Sequence, residues 1–121
     1  MKMTALVPML PVQSLARAVE FYRDKLGFEV ERRRDDWGWA MLKFDEVRLM
    51  LDQSINQHPG VARDAVLYLY PDDVAAYHAQ LRRNGLALPD LDITFYGHAE
   101  FRVVDPDGNR LWIGQNKPAT G

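Results

Sequence analysis

The sequence runs through one order of elements twice, and this repeat is what most limits the folds open to it. The first half opens with a strand predicted over Ala5 to Leu10. A helix follows from about Leu15 to Leu26, with Leu15, Ala18, Val19, Tyr22 and Leu26 recurring at helical spacing to make one apolar face. Ser14 suits the N-cap, because its hydroxyl can accept a bond from a backbone N–H of the first turn that has no helical partner. Gly27 can take the left-handed conformation that ends a helix. Three strands are then expected at Phe28 to Arg34, Trp39 to Phe44 and Val47 to Asp52, with turns at Asp35-Asp36 and Asp45-Glu46.

The second half gives a strand from Asp64 to Tyr70, broken by Pro71 and Asp72. Asp73 can cap a helix running to about Arg83, whose inner face is Val74, Tyr77, His78 and Leu81 and whose end is Gly85. Strands follow near Ile93 to Tyr96, Ala99 to Val104 and Arg110 to Gln115. Between the last two, Asp105-Pro106-Asp107-Gly108 has the favoured residues of a type I turn. The two caps, Ser14 and Asp73, lie 59 residues apart, which sets Val7 against Val66. At a slightly larger offset, Val47-Arg48-Leu49-Met50-Leu51 matches Asn109-Arg110-Leu111-Trp112-Ile113. The expected fold is α+β. Two βαβββ repeats, about 4–53 and 64–116 of a single domain spanning 1–121, form curved sheets around a cleft, each backed by a helix.

Composition removes several function classes. The chain has no cysteine, so thiol catalysis, thiolate metal sites and disulfides are excluded, and a cytoplasmic location is expected. Its net charge of −2 lacks the basic excess of a nucleic-acid binder, so no nucleic-acid partner is expected. The opening apolar run, broken by Pro8 and Pro11, is too short for a signal-peptide core or a membrane span. There is no phosphate loop, dinucleotide turn or serine elbow. Arg32-Arg33-Arg34 is followed at once by Asp35-Asp36 and reads as a solvated strand end.

Two stretches carry a family resemblance. Leu10-Pro11-Val12 followed by Ala18-Val19-Glu20-Phe21-Tyr22-Arg23-Asp24-Lys25-Leu26-Gly27-Phe28 resembles the opening of the glyoxalase/bleomycin-resistance/extradiol-dioxygenase superfamily. Glu100-Phe101-Arg102-Val103-Val104-Asp105-Pro106-Asp107-Gly108-Asn109 is similar to its closing hairpin. The resemblance implies the paired βαβββ fold and a homodimer whose ligand sites draw on both subunits. It does not fix the chemistry, because this fold hosts isomerases, lyases, dioxygenases and plain binding proteins.

Enzymes of this superfamily hold a divalent metal with His, Gln, Glu or Tyr from the first and last strands of each unit. The repeat carries those positions to Val7 and Val66, or near them, and to Met50 and Trp112. Two are aliphatic, one is a soft thioether and one offers only an N–H donor. A slip of one residue does not supply a ligand set, so no metal and no other cofactor are expected.

Alternation along the strands then predicts the lining of the cleft. Arg110 shares a face with Trp112, Arg48 and Asp52 with Met50, Tyr68 and Tyr70 with Val66, and Met9 with Val7. The segment Asp35-Asp36-Trp37-Gly38-Trp39-Ala40-Met41-Leu42 is similar to the third strand of bleomycin-resistance proteins, and Tyr96-Gly97 to their Trp-Gly. The resemblance assigns ligand contact to Trp39 and Tyr96. The predicted binding set is Trp39, Arg48, Met50, Tyr68, Tyr70, Tyr96, Arg110 and Trp112, suited to a small aromatic or cationic molecule. The same aromatics could instead fill a core or a dimer seam. His58 reads as a loop residue and His78 as a core or interface residue. His98 and Glu100, two apart, could share a strand face and act as an acid/base pair, the basis of an enzymatic alternative. A metal-dependent lyase, isomerase or dioxygenase with atypical ligands is the other alternative.

Overall fold

A computed structural model of the chain describes residues 1–54, 65–93 and 97–116. The chain divides into two compact units, Met1–Val61 and Ala62–Gly121.

In the first unit the elements are β1 (Met9–Pro11), α1 (Leu15–Glu20), β2 (Glu29–Arg34), β3 (Trp39–Phe44) and β4 (Val47–Asp52). The sheet order is β1-β4-β3-β2, with β1 parallel to β4 and the other neighbours antiparallel. One face of the sheet carries Leu10, Ala40, Leu42, Leu49 and Leu51. These are buried together with Leu15, Ala18, Val19 and Tyr22 of the helix. The second unit has β5 (Val66–Leu69), α2 (Val74–Arg83), β6 (Asp92–Ile93), β7 (His98–Val104) and β8 (Arg110–Asn116). Its order is β5-β8-β7-β6, with β5 parallel to β8. Ala99, Phe101, Val103, Leu111 and Ile113 are buried with Val74 and Leu81 of α2. The two repeated modules and the α+β class are those expected from the sequence.

The repeat extends to how each helix starts. Ser14 and Asp73 cap α1 and α2 by accepting from Arg17 N and Ala76 N. A glutamine just beyond the core of each closing strand also accepts from the first helical N–H. Gln53 Oε1 takes Leu15 N–H at 2.8 Å, and Gln115 Oε1 takes Val74 N–H at 2.9 Å. Helix starts leave N–H groups without helical partners, and here the sheet's last strand satisfies one of them in each unit.

Some boundaries differ from expectation. β1 is confined to Met9–Pro11 rather than Ala5 to Leu10. Pro8 can accept a bond from Met50 N–H at 2.8 Å but has no N–H to return, so the ladder does not extend back through it. β5 likewise covers Val66–Leu69, inside the expected span. Met50 pairs with Met9 and Trp112 with Tyr68, so the first-strand positions beside them lie two residues on from Val7 and Val66. The shift is two residues, so the face is unchanged.

α1 runs without a break into a π-wound turn, Phe21–Lys25, where Leu26 N–H reaches Phe21 O at 3.2 Å. Tyr22 and Leu26 are both fully buried, and Gly27, at φ +90°, then ends the helix. His98 begins β7 instead of preceding it. The Asp105 turn forms as expected, with Gly108 N–H to Asp105 O at 3.1 Å. His78 is a core residue, its Nε2 2.7 Å from Pro89 O and its ring 5.0 Å from Phe101.

Candidate functional site

Each sheet has a second face, turned away from its helix, and the chemistry lies there. In the second unit, strand pairing sets Tyr68 beside Trp112 and Trp112 beside Arg102, while Glu100 lies opposite Gly114. Tyr68 donates its hydroxyl to Glu100 Oε2 at 2.5 Å and lies 2.6 Å from His98 Nε2. With its only proton directed to Glu100, the phenol oxygen accepts from His98, which assigns the ring hydrogen to Nε2. His98 and Glu100 are buried, and their own closest approach is 3.9 Å. The His98/Glu100 pairing considered from sequence is thus present, joined by a tyrosine that sequence spacing did not place there. Gly114 makes the room. A Cβ at that position would collide with His98 Nε2 and lie 3.0 Å from the Tyr68 oxygen.

Aromatic rings surround this trio. Tyr70 stacks on Tyr68 with centroids 4.8 Å apart and planes at 19°, and Trp112 meets Tyr68 edge-on at 6.2 Å. Arg102, absent from the sequence-derived set, holds its guanidinium 3.9 Å over the Trp112 ring, with Nη2 3.7 Å from Glu100 Oε1. Continued alternation from His98 and Glu100 was the signal that could have found it. Arg110 lies on the same face, opposite Val66 and Val104. Of the predicted set, Tyr68, Tyr70, Arg110 and Trp112 therefore share one sheet face. Tyr96 lies outside the described residues.

The corresponding face of the first unit is built differently. Met9, Met50 and Met41 form one row across β1, β4 and β3. Trp39, half-buried, pairs with Asp52, and its ring lies 6.5 Å from that of Trp37. Arg48 is engaged by Glu31, with Nε to Oε2 at 2.8 Å and Nη2 to Oε1 at 3.2 Å. That hydrogen bond lowers the Glu31 carboxyl pKa and raises that of the guanidinium. Arg34 covers Trp37 at 4.0 Å and is itself bound to Asp36. The arginine run is solvent-exposed, and Arg33 and Arg34 are ion-paired with Asp35 and Asp36, as the acidic neighbours suggested.

At the superfamily's metal positions two residues are poor ligands for a hard or borderline divalent cation, whereas Tyr68, which pairs with Trp112, carries an oxygen donor. Met50 has thioethers on both sides, Met9 and Met41, and Trp112 has no lone pair to give. Among the described residues, no three His, Cys, Asp or Glu side chains converge to hold a metal. No described helix is long and apolar enough to cross a membrane.

Two βαβββ modules, each with a mixed four-stranded sheet backed by one helix, define a paired-module α+β protein whose distinctive chemistry is an aromatic sheet face. Residues 4–113 match the family model of the Glyoxalase/Bleomycin resistance protein/Dioxygenase superfamily, and the chain belongs to that superfamily. A bleomycin resistance protein from Geobacillus stearothermophilus is 24% identical over 122 residues, covering 87% of this chain and 91% of the relative. The crystal structure of a bleomycin-binding protein complexed with bleomycin superposes with a TM-score of 0.76 at 25% identity, covering 95% of this chain and all of the other. An antibiotic binding protein from Streptomyces sp. CB03234 gives a TM-score of 0.74 at 28% identity, covering 97% and 99%.

Proposed function

We propose that this chain is a small-molecule binding protein that sequesters an aromatic or cationic ligand without a resident metal, with glycopeptide antibiotics of the bleomycin kind the first class to test. The observation that carries the reading is the aromatic face of the second unit, where Tyr68, Tyr70 and Trp112 flank the buried carboxylate of Glu100. Stacked rings bind flat heteroaromatic groups, and a carboxylate among them favours cations. The similarity to bleomycin resistance and antibiotic binding proteins supports the same class of ligand. Trp39, Met50 and Arg48 of the first unit, and Tyr96, belong to the proposed ligand-contact set, and the protein is expected to work as a homodimer in the cytoplasm.

The test is a fluorescence titration with bleomycin, paired with a growth assay. Quenching of the tryptophan emission, reduced in Trp112→Phe, and protection of cells expressing the protein are the expected results. No quenching and no protection would reject the antibiotic version. Sedimentation or light scattering measures the dimer.

A second reading has its own observation, the Tyr68–His98–Glu100 hydrogen-bonded trio. A histidine linked through a phenol to a carboxylate can move a proton, so an acid/base enzyme is the competing function. Turnover in a metabolite screen that His98→Ala abolishes would favour it. Stoichiometric divalent metal in elemental analysis of the purified protein, lost together with activity on chelation, would favour a metalloenzyme with atypical ligands.

A further inference from the structure

We infer that Arg102 is a built-in occupant of the site, and that a flat cationic ligand binds by taking its place on the Trp112 ring. This rests on the proposed binding function and names the ligand chemistry and the residue that sets specificity.

The floor of the site is buried and the arm above it is exposed. Glu100 has its side chain only 9% exposed, and its Oε2 is held by the Tyr68 hydroxyl. Its Oε1 is the oxygen turned to Arg102. The Arg102 side chain is 59% exposed, and its Nη2 stands 3.7 Å from that oxygen, beyond hydrogen-bonding distance. The guanidinium is planar, delocalised and positively charged, and it lies 3.9 Å over the ring. In shape and charge it is what an aromatic face with an adjacent carboxylate would select from solution.

Exchange then follows from solvation. Arg102 is already mostly in water, so swinging it away loses only a loose ion pair and a ring contact. A cationic ligand restores both to the site. A neutral ring of the same size would restore only the stacking and would leave Glu100 buried without its counter-charge, which is costly. The exchange therefore discriminates for cations, and Arg102 lowers the affinity for any flat ligand by the worth of its own contact.

The experiment measures binding of three acridines by fluorescence polarisation: N-methylacridinium as a permanent cation, acridine as its neutral counterpart and acridine-9-carboxylate as an anion. The wild-type protein should prefer the cation. Arg102→Ala and Arg102→Gln, at an exposed position, should fold normally by circular dichroism and bind N-methylacridinium about two- to fivefold more tightly, the worth of an exposed cation–π contact. Glu100→Gln should remove the preference for the cation. Weaker cation binding in both Arg102 variants would overturn the inference. So would tightest wild-type binding of the carboxylate, lost in those variants, because Arg102 would then be a ligand contact. Bleomycin separates the two levels. If it binds while the Arg102 variants leave the acridines unchanged, the displacement idea fails and the binding function stands. If it does not bind while N-methylacridinium tightens as expected, the antibiotic reading fails and the cation site stands.

Discussion

The two units share a register and differ in what they place on it. Across β1, β4 and β3 the aligned row is Met9, Met50 and Met41; across β5, β8 and β7 it is Tyr68, Trp112 and Arg102. One row further along the sheets, Asp52 and Trp39 stand where Gly114 and Glu100 stand in the second unit. On the helix side the equivalents are nearly interchangeable: Leu49 and Leu51 against Leu111 and Ile113, all buried. The difference teaches that the face against the helix specifies the fold and the opposite face is released to vary. A buried sheet face must be apolar and close-packed whatever the protein does, whereas the other face obeys only its ligand or partner.

Perturbing the shared face should have the largest effect. Leu49→Ala and Leu111→Ala each remove a buried side chain at equivalent positions and should each cost about 2–5 kcal/mol, read from urea denaturation. A large cost in one unit and almost none in the other would break the claim that the two helix-side faces are equivalent.

The next effect isolates what is special to the second unit. Gly114→Ala pushes a methyl into His98 and towards Tyr68, and should cost about 1–3 kcal/mol in thermal or denaturant unfolding. Asp52→Ala, at the corresponding place, should cost less than Gly114→Ala, since a side chain is already accommodated there. If the two substitutions were equally mild, Gly114 would not be making room for the hydrogen-bonded trio.

A smaller pair of effects probes the shared helix starts. Gln53→Ala and Gln115→Ala each leave a first-turn N–H without its acceptor and should lower stability by about 1 kcal/mol apiece. Gln115 also donates Nε2 to Asp72 O, so its loss should be the larger, and the reverse order would show that the repeat is less faithful there than the shared bond suggests.

The smallest effect belongs to the first unit's exposed pair, Arg48 and Glu31. The Glu31 pKa is lowered in the folded state, chiefly by its hydrogen bond to Arg48. Its contribution is therefore present above the unfolded carboxylate pKa and is lost as pH falls through the folded one. A double-mutant cycle with Arg48→Ala and Glu31→Ala should give a weak coupling at neutral pH that disappears in acid. Coupling that persists in acid would mean that packing, and not charge, holds the pair.

Most of the fold could be read directly. The caps Ser14 and Asp73, the turn at Asp105 and the strands Trp39 to Phe44 and Val47 to Asp52 depend on residues close in sequence, so local pattern finds them. The opening strands were overextended because apolar β-formers such as Leu6 and Val7 carry no mark of where pairing stops; Pro8 decides that by lacking an N–H. The π-wound turn after Glu20 was not legible either, since the spacing of Tyr22 and Leu26 suits an ordinary helical turn equally well. Within the site, His98 and Glu100 were visible as a pair because alternation alone puts them on one face. Tyr68 was placed on the aromatic face but not with that pair, and Arg102 was missed.

The sequence by itself determined the repeat and the α+β class, because these follow from residue type and short-range periodicity. Only the tertiary structure decided that Tyr68 meets His98 and Glu100, and that Arg102 covers Trp112. The first meeting spans about thirty residues and exists because β5 pairs in parallel with β8, with β7 on the other side. Contacts between strands distant in sequence depend on pairing order and register, and those are fixed by how the whole sheet buries its apolar face.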